Sequence, residues 1–324
     1  MYLKILILFS FFLYNSVLAL DLDNVKKEFP KNSFDNATIN LNEIQSGGPP
    51  RDGIPPIDKP KFSENNNRIG PEEPVIFLEI NNEAKIYPIQ ILTWHEIVND
   101  EIGGLPVAVT YCPLCNASIV FDRRFKGEVL DFGTSGRLRL SDLIMYDRQS
   151  ETFWQQFTGN GLVGKHAGET LKKIPSLIIS YEEALSITKE KKLKKQILKG
   201  SLLRSYGNNP YTGYDKSGIP FLYNGSLPTY ISPMEYVIVV NGKGYSLSLI
   251  QKEKKINIDD IQITYKEGLN SALEETRIRD GRDLGFVRVQ KKENGMFQDV
   301  VYDYTFAFVY HAFHDGKKII QTLP

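Results

Sequence analysis

The fold of this chain is decided by the stretch Val75-Ile-Phe-Leu-Glu-Ile-Asn-Asn-Glu-Ala-Lys-Ile-Tyr-Pro-Ile89. Apolar and β-branched residues fill both halves of the stretch, and the polar pair Asn81-Asn82 separates them. Two strand-like runs around a short polar turn predict a β-hairpin. We therefore expect antiparallel strands on either side of the two asparagines.

A helix and another strand are expected next. Residues 89–99 place four side chains on one helical face, with the spacing i, i+3, i+4 and i+7: Ile91, Trp94, His95 and Val98. Gly103-Gly104 ends this helix, and residues 107–111 are typical of a buried strand. A later helix is expected over residues 180–198, where Ser180 and Glu183 form a capping-box pattern.

A second stretch resembles the first. Tyr236-Val-Ile-Val-Val-Asn-Gly-Lys-Gly-Tyr-Ser-Leu-Ser-Leu-Ile250 matches the hairpin pattern, and Ile263-Thr-Tyr265 matches Val109-Thr-Tyr111. We interpret this as a weak internal repeat, with chemistry retained in the first copy only. The expected fold class is α+β and strand-rich, with two similar β-rich units and a few helices packed on the sheets.

These patterns give the expected domain organisation. It comprises a signal peptide (1–19), an arm with a Gly/Pro-rich segment (20–70), a unit that bears the cysteines (71–230) and a second, degenerate repeat-like unit (231–324). One continuous domain is the alternative. Ser46-Gly-Gly-Pro-Pro-Arg-Asp-Gly-Ile-Pro-Pro56 excludes a helix or a central strand, since glycine and proline disfavour both. This segment is either a linker or a piece that packs on the domain and shapes a pocket.

The N-terminus predicts export. Lys4 precedes an apolar run over 5–13, and Val17-Leu-Ala19 suits a cleavage site. The alternative is an uncleaved anchor, but the run is shorter than the roughly 20 residues that span a bilayer. We expect the periplasm of a Gram-negative bacterium and no membrane span in the mature chain. With 39 basic and 39 acidic residues, no strong field favours nucleic acid.

Cys112-Pro-Leu-Cys115 holds the only two cysteines among 324 residues. Two thiolates at this spacing bind a soft metal ion or form a reversible disulfide. Covalent haem attachment requires histidine at the position of Asn116. A thioredoxin-like site requires a following helix, whereas residues 117–122 are β-branched and aromatic. A zinc site would need further ligands from histidine or carboxylates.

The helix before the cysteine strand supplies the other candidates. A helix packed on that strand brings His95 or Glu96 to the thiols, where a histidine lowers a thiol pKa or completes a metal site. The predicted catalytic residues are Cys112, Cys115, His95 and Glu96. The predicted metal ligands are Cys112, Cys115 and His95, for copper or another soft metal ion. The alternative for His95 is a hydrogen-bonded core residue. Met145 is the one nearby methionine that offers a thioether to copper, but a single methionine among strand residues is more often a core residue.

Two polar segments have no role that the sequence assigns, residues 133–136 and 154–156. Ser135 lies in the first of them and would be a nucleophile only beside a base, and the sequence shows none. The carboxylates Asp147 and Glu151 would need a cleft with convergent acid and base groups. A hydrolase is therefore the least favoured interpretation.

Eight segments of the chain together carry a family resemblance: Gly47-Gly-Pro-Pro-Arg-Asp-Gly-Ile-Pro, Tyr87-Pro, Leu92-Thr-Trp-His-Glu-Ile-Val-Asn-Asp, Val109-Thr-Tyr-Cys-Pro-Leu-Cys, Phe132-Gly-Thr-Ser-Gly, Met145-Tyr-Asp-Arg, Thr152-Phe-Trp-Gln-Gln and Asn209-Pro-Tyr-Thr-Gly-Tyr-Asp215. By these blocks the chain resembles the domain of unknown function 3179 (DUF3179) family of bacterial proteins over nearly the whole mature chain. Some members are catalogued as selenoprotein candidates, so the resemblance implies redox or soft-metal chemistry. The family often has glycine where this chain has Asn116.

Two functions follow as expectations. The first is an exported protein whose Cys-x-x-Cys thiols perform redox or soft-metal chemistry. The second is a non-enzymatic module that binds a ligand or partner and carries a structural Cys112–Cys115 disulfide. Whether the protein is an enzyme stays open. The expected partner is a periplasmic protein or a small molecule.

Overall fold

The structure is a computed structural model that describes residues 21–201 and 204–323 of the chain. The predicted signal peptide (1–19) lies outside these residues. Strands make up 39% and helices 16% of the structure, which confirms the strand-rich α+β fold class. None of the helices in the described ranges has both the length and the apolar character needed to cross a bilayer.

Five α-helices and 23 strands are described, together with short 3-10 turns. The elements before residue 200 are α1 (Leu22–Glu28), β1 (Gln45–Ser46), β2 (Phe62–Ser63), β3 (Pro74–Ile80), β4 (Glu83–Pro88), α2 (Ile89–His95), β5 (Ile97–Ile102), β6 (Leu105–Cys112), β7 (Ala117–Asp122), β8 (Arg124–Phe125), β9 (Glu128–Val129), β10 (Phe132–Arg139), β11 (Asp142–Asp147), β12 (Phe153–Gln155), β13 (Gly161–Val163), β14 (Lys173–Ile174), β15 (Leu177–Ser180), α3 (Tyr181–Glu190) and β16 (Lys194–Leu198). Those after residue 230 are β17 (Tyr236–Val240), β18 (Lys243–Ser246), α4 (Leu247–Glu253), β19 (Lys255–Ile258), β20 (Ile261–Lys266), β21 (Phe286–Glu293), β22 (Met296–Asp299), β23 (Asp303–Phe306) and α5 (Ala307–Phe313).

The strands form several small sheets. In the first half of the chain the strand orders are β15-β3-β4-β16-β2, β14-β7-β6-β5 and β1-β10-β11-β12-β13. In the second half they are β18-β17-β23 and β19-β20-β21-β22. Neighbouring strands are antiparallel except for β16 and β4, which are parallel. Cys112 is the last residue of β6, an inner strand of the β14-β7-β6-β5 sheet, and Cys115 lies in the loop that follows.

The same element order occurs twice, as β3-β4-α2-β5-β6 and as β17-β18-α4-β19-β20. Each copy turns its first hairpin through two left-handed residues, Asn81-Asn82 (φ 49° and 65°) and Asn241-Gly242 (φ 49° and 71°). Asparagine and glycine tolerate this backbone conformation, which is why the hairpin turns could be predicted. The chain therefore contains two similar β-rich units.

The predicted helix over residues 89–99 is too long. Helix α2 ends at His95, because Glu96 adopts a left-handed conformation with φ 57°. Ile97 and Val98 then pair with Thr110 and Val109 as part of strand β5. The sequence spacing predicts Val98 on a helical face, whereas its pairing with β6 places it in a sheet.

The predicted helix over residues 180–198 is also too long. It starts as expected, since the Ser180 side chain accepts a hydrogen bond from the Glu183 backbone N–H. Helix α3 ends at Glu190, and Lys192 is left-handed with φ 55°. Residues Lys194–Leu198 form strand β16, because β4 offers an open edge beside it.

The Gly/Pro-rich segment packs on the fold, and we call residues 47–58 the strap. The backbone N–H of Gly47 donates to the Gly136 carbonyl at 2.9 Å, and that of Asp52 donates to Thr134 at 2.8 Å. Further along, the N–H of Ile57 donates to Ile97 at 2.8 Å. The strap thus crosses strand β10 and reaches the first residue of β5.

Candidate functional site

The two cysteines flank the loop that joins β6 to β7. Cys112 pairs with Ala117 across this hairpin, and Asn116 closes the loop with φ 47°. Two side chains from distant parts of the chain hold the loop. The Tyr214 hydroxyl donates to the Leu114 carbonyl at 2.9 Å, and Thr305 donates to the Cys115 carbonyl at 2.8 Å. The second unit therefore helps to position the thiols.

A second hairpin brings a carbonyl group and a carboxylate to the same place. Strands β10 and β11 are joined by Leu140 and Ser141, with φ 54° and 66°. A two-residue turn with positive φ at both positions matches the twist of a hairpin, yet it normally requires asparagine or glycine. The thiols of Cys112 and Cys115 lie 3.8 Å and 3.5 Å from the Ser141 carbonyl oxygen and donate to it. Such strain persists where the surroundings hold it in place, and functional sites are where it collects.

Asp142 follows this turn and completes a cluster. Its carboxylate and the thiols of Cys112 and Cys115 lie within 4.8 Å of one another, and all three residues are buried. The Oδ2 atom accepts hydrogen bonds from the Gln155 side chain at 2.7 Å and from the Phe157 backbone N–H at 2.9 Å. The Oδ1 atom has no hydrogen-bond partner. Asp142 is thus fixed in orientation, with one oxygen left to bind something else.

Burial governs the protonation of the cluster. It raises the pKa of the Cys112 thiol and holds that of Cys115 well above its usual value, and the nearby Asp142 carboxylate adds to both shifts. Burial also raises the pKa of Asp142 to about 6, although hydrogen bonds from Phe157 and Gln155 oppose the shift. The charged neighbours that contribute most are acidic. A cation placed among these groups would reverse the shifts.

Glu96 is the nearest further acidic residue. This residue is buried, with 7% of its surface exposed. Burial, together with the nearby Asp142 carboxylate, raises the pKa of Glu96 to about 8. The left-handed backbone at the end of α2 turns this residue away from the helix. Its carboxylate lies outside the cluster of three ligand atoms.

A cavity of about 110 Å³ opens beside the cluster. It is lined by residues of the strap, of the two hairpins and of the segment after residue 209: Gly47, Pro49, Ile54, Glu96, Cys112, Leu114, Thr134, Gly136, Arg137, Leu138, Leu143 and Tyr211. The strap therefore forms one wall of the cavity. Glu96 and Cys112 both line the same cavity. The other predicted thiol, Cys115, has no exposed surface.

Comparison with known families gives one match, over residues 51–317, to the family described as "Protein of unknown function (DUF3179)". The chain belongs to the DUF3179 family. No curated protein and no solved structure matches it. The matched region includes the strap from Arg51, both hairpins and the whole second unit through α5.

Asn116 closes the cysteine loop of this DUF3179 protein. Its φ of 47° is one that glycine adopts freely and asparagine tolerates. Its side chain also accepts a hydrogen bond from the Tyr111 hydroxyl at 3.1 Å. Asn116 therefore fits the backbone conformation of the loop that carries the cysteines.

His95 lies apart from the thiol cluster. Its Nδ1 donates to the Pro55 carbonyl of the strap at 2.7 Å, because a carbonyl oxygen only accepts. Its Nε2 therefore accepts from the Tyr206 hydroxyl at 2.7 Å. Burial lowers the pKa of His95, which favours this neutral form. As a metal ligand it would have to give up one of these bonds, so here it holds the strap to helix α2.

The hydrolase candidates also have other partners. Ser135 donates its hydroxyl to the Ile144 carbonyl inside the β10–β11 hairpin and has no exposed surface. Asp147 accepts hydrogen bonds from Ser150 and Trp154, and Glu151 forms an ion pair with Arg51. These contacts hold turns and the strap in place.

Sequence reasoning missed Asp142. It lies 27 positions after Cys115, and no spacing rule connects a hairpin turn with a distant Cys-x-x-Cys loop. A usable signal existed in Ser141-Asp-Leu-Ile-Met-Tyr146, where a carboxylate opens an otherwise apolar strand. A charged residue at such a position is buried, and buried carboxylates are rarely kept without a partner.

Proposed function

We propose that this protein binds one divalent metal ion of the zinc type through Cys112, Cys115 and Asp142. The observation that carries the proposal is the cluster itself: two thiols and a carboxylate, fully or almost fully buried, within 4.8 Å of one another. Burying three acidic groups together is unfavourable unless a cation compensates them. A metal ion is the compensation that this donor set fits.

The dimensions suit such an ion. Zinc binds thiolate sulfur at about 2.3 Å and carboxylate oxygen at about 2.0–2.2 Å in a tetrahedron, so its ligand atoms lie roughly 3.4–3.8 Å apart. Ligand atoms within 4.8 Å need shifts of about 1 Å to reach this geometry, which side-chain rotations supply. The unpartnered Oδ1 of Asp142 is available as the oxygen ligand.

The electrostatics favour a metal site over a dithiol that exchanges disulfides. Reactive cysteines have lowered pKa values and lie near positive groups. Here burial raises the pKa of both thiols, and the charged neighbours Asp142 and Glu96 are acidic. Cys115 is also inaccessible to a partner thiol. The thiols are free, so the disulfide of the alternative function is not formed in this structure.

The third donor distinguishes among metals. Copper(I) prefers soft thiolate and thioether ligands, whereas zinc accepts sulfur, nitrogen and oxygen. The cluster offers a carboxylate beside the thiols, and His95 keeps both ring nitrogens in hydrogen bonds. We therefore propose zinc in place of the copper that the thiols alone suggested.

Export stays part of the proposal. The sequence of residues 1–19 supports it, and a bound metal ion would keep the thiols from oxidising in a compartment that favours disulfides. The test is native, non-reducing mass spectrometry of the full chain expressed with its N-terminal segment, together with metal analysis. The expected result is one zinc ion per chain, lost in the Cys112→Ser/Cys115→Ser variant.

A matched control is Met145→Leu, which alters another buried sulfur residue in the neighbouring hairpin. This variant keeps its zinc if the thiols and Asp142 are the ligands. A metal-free chain about two mass units light, through loss of two thiol hydrogens, would overturn the metal proposal in favour of a disulfide. Bound copper in freshly isolated protein would overturn the choice of zinc.

A further inference from the structure

We propose, building on the metal site above, that the metal ion holds a water molecule in the 110 Å³ cavity and that Glu96 accepts a proton from it. The site would then be hydrolytic, and its substrates would be small carbonyl compounds such as short esters. Two observations on separate residues carry this inference.

The first observation is the number of ligands. Structural zinc sites use four protein ligands, whereas catalytic sites use three and leave one position for water. In the described ranges 21–201 and 204–323, the cluster that could hold the ion contains three candidate ligands. Cys112 lies on the cavity wall, so the remaining position can face the cavity.

The second observation is the isolation of Glu96. It is buried to 93% and lines the same cavity, yet no residue of the described chain donates a hydrogen bond to its carboxylate. The left-handed backbone at Glu96 is costly for a non-glycine residue, and it turns the side chain toward the cavity. A hydrogen-bond donor inside the cavity would bond to this carboxylate, and a metal-bound water is such a donor.

With an ester as substrate, the bound cation would lower the pKa of Glu96 and keep this carboxylate ionised. A water held by the metal would then give one proton to Glu96, and the water oxygen would form a bond to the carbonyl carbon while the C=O π electrons move to the carbonyl oxygen. When this oxyanion collapses, the bond to the alkoxide breaks and the alkoxide takes the proton from Glu96. The products are a carboxylic acid and an alcohol, and no oxidant or reductant is required.

The cavity limits the size of the substrate. An engineered apolar cavity of about 150 Å³ accommodates benzene, so a cavity of 110 Å³ admits molecules smaller than that. Methyl formate is small enough, whereas a nitrophenyl ester exceeds the cavity. The preference for small substrates follows from the strap, which closes this side of the site.

The experiment uses the full-length protein loaded with Co²⁺, a spectroscopic substitute for zinc. Azide, a small anion, is added while the visible cobalt bands are recorded, and methyl formate hydrolysis is followed by proton release. We expect azide to shift the bands and the protein to hydrolyse methyl formate but not 4-nitrophenyl butyrate. In Glu96→Gln we expect one cobalt ion per chain, an azide response, and a hydrolysis rate about 10²–10⁴-fold lower.

The control is Glu73→Gln, which alters another buried glutamate that has its own partners, Gln90 and the Gly70 N–H. It should hydrolyse methyl formate as the native chain does. Failure of the native chain to bind cobalt would overturn the metal site and this inference together. Bound cobalt without an azide response, or full activity in Glu96→Gln, would overturn this inference and leave the metal site intact.

Discussion

Tyr111 donates its backbone N–H to the carbonyl oxygen of Glu96 at 2.8 Å. This bond ties the end of helix α2 to strand β6 one residue before Cys112. The second unit repeats it, with Tyr265 donating to Lys254 at 2.9 Å. There the Lys254 side chain is exposed and forms an ion pair with Glu267. One backbone arrangement therefore holds a buried carboxylate in the first unit and a surface cation in the second.

Asp142→Asn should weaken metal binding. The amide keeps the shape of the side chain but removes the charge that compensates the ion, and we expect a loss of at least about 10–100-fold in zinc affinity, the range seen even for residues that only support ligands. Competition with a chromophoric chelator measures it. Asp147→Asn is the matched control, since Asp147 is equally buried but bonds Ser150 and Trp154. Equal affinities in the two variants would exclude Asp142 as a ligand.

The metal-free protein should lose stability as the pH rises. The pKa of Glu96 increases from 4.5 to about 8 on folding, and that of Asp142 from 3.8 to about 6. Across these ranges the folded state binds more protons than the unfolded state, so the free energy of unfolding falls from about pH 3.8 up to about pH 8. Urea unfolding at several pH values measures the slope. Glu96→Gln should flatten it, and an unchanged slope would contradict the assignment.

The cysteine loop should tolerate glycine at position 116 and reject a β-branched residue. Asn116→Gly keeps the positive φ and loses one hydrogen bond, so we expect a stability change within about 1 kcal/mol. Asn116→Val forces a β-branched side chain into the left-handed region and should cost about 1–2 kcal/mol or more. Lys255→Val, at an exposed position of the extended strand β19, is the control and should be nearly neutral. Chemical unfolding measures all three, and a stable Asn116→Val would disprove the strained loop.

Gly136→Ala should displace the strap. A Cβ at Gly136 would overlap the Pro49 carbonyl oxygen, whereas a Cβ at Gly127 would meet no atom within 4 Å, although both residues have positive φ. Both variants incur the left-handed penalty, and Gly136→Ala should cost about 1–3 kcal/mol more through overpacking. Thermal unfolding of the pair isolates the contact. Equal losses would show that the strap is not held against β10.

The sequence predicted features that depend on neighbouring residues. Local periodicity and turn chemistry predicted four features that the structure contains: both hairpins, the strand before Cys112, the N-cap Ser180 and the strand after Asn116. The family assignment also follows from contiguous blocks. The errors lie at helix ends, where residues 97–98 and 194–198 joined strands because a sheet edge was available to them. Local propensity gives no information about that edge.

The sequence alone places Cys112 and Cys115 close together, because both residues lie on one short loop. Which groups lie beside them depends on long-range packing. A strained two-residue turn brings Asp142 to the thiols, and the end of α2 directs Glu96 into the cavity, while His95 is bound to the strap. These groups come together because hairpins and loops that are distant in sequence pack against one another. The interactions that hold this packing are spread over the whole core, and local sequence patterns do not describe them.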